Sequence, residues 1–418
     1  MQQVAKPGTI VIVGAGLAGA TAAAGLRTRG HSGPVVLFGA QSHRPYELPP
    51  LSKGILLGDT DEPDWVRDAD FYATNDIDFR PGTTIEDVRP ADRVVIDASG
   101  ATQSFDRLLL ATGLRPRTLP VTGGQLAGVH TLRTLDDSLA LRSRLTPGTR
   151  VVIVGGGWIG CEVAAAARRH GAAVTVVEPL PLPLLRVLGS TVAGVFRDLH
   201  EANGVRWKLG VGVQGLAGAG DGGAGDTVRS VRLDDGTDLP ADLVVVAIGA
   251  APRVELAERI GLALADRPVG GVAVDAALRT SAPDVYAAGD IAAQAHPRYE
   301  RRVRVEHWAN AKDQGEHVAG SLLGADEPYA RSPYFFSDQY DLGMEYRGLA
   351  DPERDELVVR GDLAAREFIA FWLRDGRVQA AMNVNSWDDG DTLQSLVDNQ
   401  AAVDATALTN GDLPSLVA

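Results

Sequence analysis

The sequence is poor in cysteine, because its 418 residues include only one, Cys161. A single thiol excludes an intramolecular disulfide, a redox-active Cys-x-x-Cys pair and an iron–sulfur cluster held by four thiolates. If electrons enter this chain, it has no thiol pair or cluster of its own to carry them onward. Their final acceptor would then lie outside the chain.

Long apolar runs and an excess of positive charge are also missing. No stretch approaches the roughly 20 apolar residues that span a bilayer, and the first residues do not resemble a signal peptide, so we expect a cytoplasmic protein without a membrane partner. The net charge of −14 argues against general nucleic-acid binding, and we expect no metal site. The length fits two or three domains, and the hydrophobic content of 45% is ordinary for a soluble globular protein.

The sequence does contain two glycine fingerprints of the form G-x-G-x-x-G. One follows the apolar run 9–13 and the other follows 151–154, and each precedes a predicted helix, 18–29 and 159–170. In this strand–turn–helix context the spacing indicates dinucleotide binding, because the glycines let the backbone approach a pyrophosphate at a helix N-terminus. Two such units predict two bound nucleotides. The glycines are Gly14, Gly16 and Gly19 in the first fingerprint and Gly155, Gly157 and Gly160 in the second.

The strand that follows each fingerprint ends differently. Glu178 ends the strand 174–178, about 20 residues past Gly157, where an acidic side chain accepts hydrogen bonds from the adenosine ribose. A carboxylate there repels a 2′-phosphate, so the second site should prefer NADH to NADPH; the alternative is a solvated glutamate at a strand end. In the first unit the strand 35–38 is followed by no acid before Glu47, although Gln41 could accept a hydrogen bond through its amide oxygen.

The rest of the chain alternates strands with helices and hairpins. Strands are predicted near 83–88, 93–97, 107–113, 243–249, 271–275 and 285–290, and a helix over 307–323. The glycine-rich stretch Gly215–Asp226 predicts a flexible surface turn within a hairpin. The C-terminal tail, from about residue 329, has a different sequence pattern from the rest of the chain. It has aromatic residues over 329–347, strand-like runs over 357–378 and a helical pattern from Thr392 onward.

Several motifs together resemble one family, the FAD-dependent, NADH-using ferredoxin reductases that feed oxygenases and cytochromes P450, including the putidaredoxin and rubredoxin reductases and, more distantly, apoptosis-inducing factor. The resemblance runs nearly end to end. The motifs that carry it are Pro45-Tyr-Glu-Leu-Pro-Pro-Leu-Ser-Lys53, Ala111-Thr-Gly113, Gly155-Gly-Gly-Trp-Ile-Gly-Cys-Glu162, Tyr286-Ala-Ala-Gly-Asp290, Glu306-His-Trp-Ala-Asn310 and Phe335-Phe-Ser-Asp-Gln-Tyr340.

The resemblance implies an α/β fold of the glutathione-reductase kind, with two Rossmann-like domains and a C-terminal α+β domain. An FAD domain would comprise residues 1–117 and 249–326, an NADH domain residues 118–248, and a domain that covers the flavin residues 327–418. Reductases of this kind need an external acceptor, and here the implied partner is an acidic iron–sulfur ferredoxin. We expect a monomer or a weak homodimer.

The resemblance also implies the residues that bind each nucleotide. For FAD these are Gly14, Gly16, Leu17, Ala18, Gly19, Gln41, Lys53, Ala111, Thr112, Gly113, Gly289, Asp290, Glu306, His307 and Trp308. For NADH they are Gly155, Gly157, Trp158, Ile159, Gly160, Glu178, Ile248 and Gly249. Simpler roles stand beside some of these: Asp290 could cap a helix, Thr112 could mark an ordinary strand exit, and Trp158 could fill the core instead of packing against nicotinamide.

Lys53, Glu162 and Trp308 are the implied catalytic residues. In the family, the lysine and the glutamate lie near the flavin N5 and the nicotinamide. A buried ammonium and a carboxylate neutralise each other, and the ammonium would also favour the negative charge that a hydride delivers. Trp308 would place a flat apolar ring with one N–H donor near the flavin. The alternatives are solvated charges for the pair and a core position for the tryptophan.

The chain departs from the family pattern at two positions on the flavin side. Leu48 stands where arginine is usual, and Gln41 stands where glutamate is usual. Both changes remove charges expected near FAD. The hypothesis is that FAD still binds, through Gly14, Gly16, Gly19, Lys53 and Asp290, but less tightly than in close relatives.

A basic run suggests where a ferredoxin could dock. Residues 298–304 form the densest basic run of this acidic protein and directly precede the Glu306-His-Trp motif. The arginines Arg298, Arg301, Arg302 and Arg304 could steer an acidic ferredoxin with strong dependence on salt. The alternative is a solvated loop whose arginines pair with nearby acids.

Two other functions remain open at this point. NADH oxidases, peroxidases and disulfide reductases of the wider fold need a reactive cysteine facing the flavin, but residues 41–53 contain none and Cys161 lies in the second fingerprint. The other alternative is a flavoprotein whose redox state controls partner binding, as in apoptosis-inducing factor. Slow reduction by NADH would favour that alternative.

Overall fold

The computed structural model of the protein describes residues 7–220 and 226–417. They form two compact units. The first unit contains the described residues up to Glu47 together with Asp64–Arg115 and Ala251–Pro333, and the second contains Leu48–Pro63, Pro116–Ala250 and the described residues from Tyr334 onward. The chain passes between the units within the short strands Leu114–Pro116 and Ala250–Pro252.

The first unit is built on a parallel five-stranded sheet. Its strands, in spatial order, are Val285–Ala287, Arg107–Leu110, Ile10–Val13, Val35–Phe38 and Ile77–Arg80. The strands Ile10–Val13 and Val35–Phe38 are buried along their whole length. Continuous apolar runs of this kind are typical of parallel strands covered on both faces. The predicted first strand–helix–strand unit is confirmed.

Two helices of the first unit pack closely because small residues lie between them. The helices Leu17–Thr28 and Trp308–Leu322 approach so nearly that a Cβ on Gly25 would lie 2.9 Å from the Cβ of Ala319, and one on Gly315 would lie 2.5 Å from the Ala18 carbonyl oxygen. The remaining elements of the unit are the strands Ile85–Arg89, Val94–Asp97, Thr102–Ser104, Val272–Val274, Ala292–His296 and Arg301–Val303 and the helices Phe71–Thr74 and Glu255–Arg259.

The second unit repeats the parallel arrangement. Its five strands, in spatial order, are Arg206–Leu209, Ala173–Glu178, Arg150–Val154, Leu243–Val246 and Val129–His130. A hairpin of Val213–Gly218 and Val228–Leu233, joined by Asp238–Pro240, confirms the predicted hairpin, while residues 221–225 of its predicted flexible turn lie outside the described residues. The helices of this part are Gly54–Leu57, Leu135–Arg144, Trp158–Arg169 and Leu185–Ala202.

The tail of the chain adds an antiparallel five-stranded sheet to the second unit. Its strands, in spatial order, are Tyr334–Gln339, Leu342–Gly348, Arg377–Val384, Glu367–Arg374 and Glu356–Asp362, and the helices Gly390–Asp398 and Ala405–Asn410 follow. One core joins this sheet to the helix Leu185–Ala202 through buried Phe196, Met344, Phe368 and Trp372. The predicted strand-like runs and the helical end of the chain are confirmed.

The sequence pattern placed most element ends within a few residues of where they lie. The predicted helix 307–323, for example, spans Trp308–Leu322, and the predicted strand 83–88 is Ile85–Arg89. The proposed boundaries of three domains stay a prediction. Among the described residues, no helix combines the length and the apolar character needed to cross a membrane.

Candidate nucleotide and redox site

Two glycines of the first fingerprint are required by the packing of the chain itself. Gly14 follows the strand Ile10–Val13 with a φ of +113°, and a Cβ there would lie 2.2 Å from the carbonyl oxygen of Ala111. A Cβ on Gly19 would lie 2.0 Å from the Gly14 carbonyl oxygen. Any side chain at these positions would force the turn open. Ala111 and Gly14, both predicted to line the FAD site, therefore lie in contact.

Gly16 differs from its two neighbours in the fingerprint. Its φ of −78° is ordinary for any residue, and no atom among the described residues lies within 4 Å of a Cβ built on it. The missing side chain is thus not required by the fold. It leaves open space at the start of the helix Leu17–Thr28, where N–H groups and the helix dipole favour an anion. This cradle fits the pyrophosphate of FAD.

The Gly289-Asp290 motif lies beside the same helix. Gly289 has a φ of +76°, and a Cβ on it would lie 2.9 Å from the Cβ of Ala18. Its N–H donates to the buried Gln314 side-chain oxygen over 2.9 Å. Gln314, which the sequence argument missed, therefore fixes the turn that presents Asp290. Nothing in the glycine spacing could have identified Gln314. Two strands and the first turn of the helix Trp308–Leu322 separate it from Gly289 in the sequence.

The strand exit at Thr112 and Gly113 is held by its own hydrogen bonds. The Thr112 hydroxyl donates to the Arg253 carbonyl oxygen over 2.9 Å, and the Gly113 carbonyl accepts from the Arg253 N–H over 2.9 Å. Gln41 is exposed, and its amide oxygen accepts a hydrogen bond from the Tyr46 hydroxyl over 2.6 Å. The oxygen that we expected to receive a ribose hydroxyl is thus already engaged once by the protein.

Trp308 is anchored at both its polar and its apolar parts. Its indole Nε1–H donates to the Glu47 carboxylate over 3.0 Å, and its ring packs with Leu17 and Val66. Burial raises the pKa of Glu47, while the hydrogen bond from Trp308 opposes that shift. Contact with Leu17 places the tryptophan beside the helix that begins at the first fingerprint.

The two residues before Trp308 have different environments. Burial lowers the pKa of His307 to about 4, so its imidazole is neutral at physiological pH. Glu306 is exposed and forms an ion pair with Arg304 over 2.7 Å. The motif therefore contributes a neutral ring and a neutralised carboxylate to the first unit.

The second fingerprint repeats the geometry of the first. Gly155 has a φ of +108°, and a Cβ there would lie 2.4 Å from the Ala247 carbonyl oxygen. A Cβ on Gly160 would lie 2.0 Å from the Gly155 carbonyl oxygen. A Cβ on Gly157, at the start of the helix Trp158–Arg169, would have no neighbour within 4 Å in the part of the chain that the structure describes. The second cradle is therefore also shaped for a pyrophosphate.

Glu178 is held directly against this cradle. One carboxylate oxygen accepts from the Gly156 N–H over 2.7 Å, and the other accepts from the Leu180 N–H over 3.0 Å. Each oxygen has two lone pairs, so the half-buried carboxylate can still accept from ribose hydroxyls. Gly156 was missed as a functional position; its place beside the first fingerprint glycine is the only sequence signal for it.

The neighbours of the second fingerprint divide between core and surface. The Trp158 ring meets the rings of Phe196 and Phe335 edge-on, with centroids 5.6 Å and 5.1 Å away, so it fills the core. Ile159 is 42% exposed and offers apolar surface beside Gly157. At the end of the strand Leu243–Val246, Gly249 takes a φ of +88° and accepts from the Arg117 N–H, and Ile248 is half-buried.

Lys53 and Glu162 form an ion pair within the second unit. The Lys53 Nζ lies 2.9 Å from a Glu162 carboxylate oxygen, and the side chains are 16% and 5% exposed. The hydroxyls of Ser52 and Ser337 also donate to this carboxylate, over 2.5 Å and 2.6 Å. Both serines were missed, although both lie inside motifs that the sequence displays, Leu-Ser-Lys53 and Phe335-Phe-Ser.

Some arginines of the basic run 298–304 are engaged in contacts within the protein. The Arg302 guanidinium donates to the carbonyl oxygens of Val274 and Ala293, and Arg304 is 10% exposed where it pairs with Glu306. Arg298 is half-buried, and Arg301 is exposed on the strand Arg301–Val303. The alternative of internal pairing therefore describes Arg304, and Arg301 is the member best placed to meet a partner.

Neither the cysteine nor a metal cluster offers a second redox centre among the described residues. Cys161 is buried, and burial raises the pKa of its thiol, which keeps it from acting as a thiolate. Among residues 7–220 and 226–417, no group of three or more histidine, cysteine, aspartate and glutamate side chains is arranged to hold a metal ion.

Comparison with known proteins agrees with this geometry. The chain is 40% identical over 405 residues to the ferredoxin–NAD(+) reductase component of the anthranilate 1,2-dioxygenase system of Burkholderia cepacia, with 96% of each chain covered. It is 36% identical over 409 residues to putidaredoxin reductase of Pseudomonas putida, covering 97% of this chain and 95% of that one. The covalent putidaredoxin reductase–putidaredoxin complex superposes with a TM-score of 0.93 at 36% identity, covering 98% of each chain.

Family models match most of the sequence. Residues 8–315 match the pyridine nucleotide-disulphide oxidoreductases, and residues 334–415 match the reductase C-terminal domain. The predicted fold, with two Rossmann-like parts and a C-terminal α+β part, is confirmed, as is the family resemblance. The chain belongs to the pyridine nucleotide-disulphide oxidoreductase family.

Proposed function

We propose that this protein is an NADH-dependent ferredoxin reductase that holds FAD at the first fingerprint and NADH at the second. The observation that carries the proposal is the paired cradle. Gly16 and Gly157 each leave open space at a helix start, while their neighbours in the fingerprint are needed for packing. Glu178, which is held against the second cradle, supports NADH over NADPH there because a carboxylate disfavours a 2′-phosphate.

The residues of the chain position the reaction, and the cofactor supplies its redox chemistry. Bound FAD would supply hydride acceptance from NADH and release of the two electrons one at a time. Asp290 and the start of the helix Leu17–Thr28 would hold the flavin nucleotide, and Trp308 packs beside that helix. We assign the Lys53–Glu162 pair to the reacting end of the second site, where the ammonium would favour the negative charge that the flavin gains with the hydride.

The electron acceptor is a ferredoxin. Relatives that share 36–40% identity are named as reductase components of dioxygenase systems and as putidaredoxin reductase. We infer that each NADH reduces two one-electron ferredoxins that serve an oxygenase or a cytochrome P450, and that one proton is released. Arg301, exposed in the middle of the basic run, contributes to docking of an acidic ferredoxin.

The thiol-dependent alternatives have no support in the geometry. Such enzymes need a reactive cysteine, whereas Cys161 is buried with its pKa raised by that burial. An anaerobic titration tests the function directly. One equivalent of NADH should bleach the bound flavin, and oxidised ferredoxin should restore its colour. Flavin that stays oxidised with NADH would contradict the proposal.

The missing charges at positions 41 and 48 weaken flavin binding without abolishing it. Leu48 is half-buried and brings no charge, and the Gln41 amide oxygen is engaged by Tyr46. We expect the Leu48→Arg variant to retain FAD better than the wild type through dilution and dialysis. A wild-type protein that stays fully yellow after this treatment would count against weakened binding.

A further inference from the structure

The carboxylate of Glu162 lies at the end of a series of hydrogen bonds between buried polar side chains, which we call the hydrogen-bond chain. Ser337 and Gln339 alternate along the strand Tyr334–Gln339, so both side chains point to the same face, and each is 1% exposed. The Ser337 hydroxyl donates to Glu162 over 2.6 Å, and the Gln339 side-chain Nε2 donates to the Ser337 oxygen over 3.1 Å. His200 Nε2 lies 2.8 Å from the Gln339 Oε1.

The donors and acceptors of these groups allow the hydrogen-bond chain only one direction of donation. Ser337 uses its single proton on Glu162, so Gln339 must present its NH2 to Ser337 and its oxygen to His200. His200 Nε2 must then carry a proton, because the Gln339 oxygen cannot donate. In the neutral imidazole this leaves Nδ1 as an acceptor, and the Tyr340 hydroxyl lies 3.3 Å from it. Every donor in the series therefore points toward the Glu162 carboxylate.

The far end of the chain is suited to a neutral histidine. His200 is fully buried on the helix Leu185–Ala202, where the rings of Trp207 and Tyr340 meet it edge-on with centroids 5.6 Å and 5.2 Å away. This burial lowers its pKa to about 4. Aligned hydrogen bonds polarise one another in a low-dielectric interior, so an ordered chain of neutral donors strengthens the bond that Glu162 finally accepts.

We propose that Ser337, Gln339 and His200 are positioning residues for hydride transfer, acting through Glu162. This hydrogen-bond chain holds the Glu162 carboxylate in place beside Lys53, and so keeps the ammonium where the reaction needs it. The proposal rests on the proposed role of the Lys53–Glu162 pair. It adds that the strand Tyr334–Gln339, in the reductase C-terminal domain, is part of the reaction machinery of the second unit.

Other titratable groups lie near Glu162. Lys53 faces it from the turn that precedes the helix Gly54–Leu57, Cys161 precedes it on its own helix, and Asp338 lies on the strand between the two positioning residues. Burial raises the pKa of Asp338, and the negative charge of Glu162 adds to that shift. The Ser337 and Gln339 variants leave all three groups in place, so a change in the reduction rate would report on the hydrogen-bond chain.

The test compares the rate of flavin reduction by NADH in FAD-loaded variants. We expect Ser337→Ala to lower the limiting rate about tenfold, with little change in the NADH concentration at half-saturation. Gln339→Met removes the hydrogen bonds of Gln339 to Ser337 and His200, which lie further from Glu162, and should give a smaller loss of rate. Ser337→Thr restores the hydroxyl and should restore the rate. Ser143→Ala, at an exposed serine of the same unit, is the matched control.

The outcomes separate this inference from the function on which it rests. A wild-type rate in both Ser337→Ala and Gln339→Met would overturn the positioning role. The Glu162→Gln variant then decides the cause. If this variant is slow, the Lys53–Glu162 ion pair matters and only the hydrogen-bond chain is dismissed. If it also reacts at the wild-type rate, the role assigned to the ion pair fails. Equal losses in Ser337→Ala and Ser337→Thr would likewise contradict the hydrogen-bond argument.

Discussion

Adding one methyl group to the central glycine of each fingerprint should weaken the binding of a different nucleotide in each case. A Cβ on Gly157 meets no described atom within 4 Å, and the residue has an ordinary φ of −80°, so Gly157→Ala should change the free energy of unfolding by no more than about 0.5 kcal/mol. In the proposed NADH complex the methyl would occupy the place of the pyrophosphate. Displacing it costs at least one charge-assisted hydrogen bond, about 1.5–3 kcal/mol, which corresponds to roughly a ten- to hundredfold loss of NADH affinity.

Gly160→Ala provides the contrast within the same turn. Its Cβ would lie 2.0 Å from the Gly155 carbonyl oxygen, so it should destabilise the fold by about 1–3 kcal/mol or more. The assay measures the NADH dependence of flavin reduction, the FAD content and the unfolding midpoint of each variant. Gly157→Ala should lose NADH affinity while keeping FAD, and Gly16→Ala should lose FAD. The reverse pattern would refute the assignment of the two cradles.

Three further variants test separate parts of the account. Glu178→Ala should raise the KM for NADH roughly tenfold by removing a charged acceptor, and should narrow the preference for NADH over NADPH in steady-state assays. Burial lowers the pKa of His200 from 6.5 to about 4, so its protonation favours the unfolded chain, and stability falls by roughly 2 kcal/mol between pH 7 and pH 5; denaturant unfolding of His200→Asn should show a smaller fall. Arg301→Ala should raise the KM for ferredoxin a few-fold at low salt and not at high salt, with unchanged NADH-to-dye activity. Arg89→Ala, at another exposed arginine of the first unit, should leave ferredoxin kinetics unchanged.

The parallel sheets and their helices could be predicted from the sequence for a definite physical reason. Buried parallel strands appear as continuous apolar runs, such as Ile10–Val13, and the fingerprint glycines mark the turns into the helices. The glycine spacing also identified the cradle positions themselves. Glu178 followed from its distance along the chain to Gly157, because one strand–helix–strand unit has a fixed length.

The residues that support the site could not be predicted in the same way. Ser337 meets Glu162, and His200 meets Gln339, only through the tertiary packing of the tail against the second nucleotide unit, and no local period connects these residues. Gln314, which fixes the Gly289 turn, is likewise distant in sequence. The commitment of Arg302 to two backbone carbonyls was hidden because a basic run looks the same whether its side chains face solvent or the protein.

The most direct test of the central claim is the stoichiometry of electron transfer from NADH to ferredoxin. Steady-state NADH oxidation would be followed with a panel of ferredoxins from the same source, and cytochrome c reduction would report the electrons they carry. The account predicts rapid turnover with at least one ferredoxin, strict dependence on bound FAD, and two ferredoxins reduced for each NADH consumed. Fast reduction of a dye together with failure to reduce every ferredoxin would contradict it.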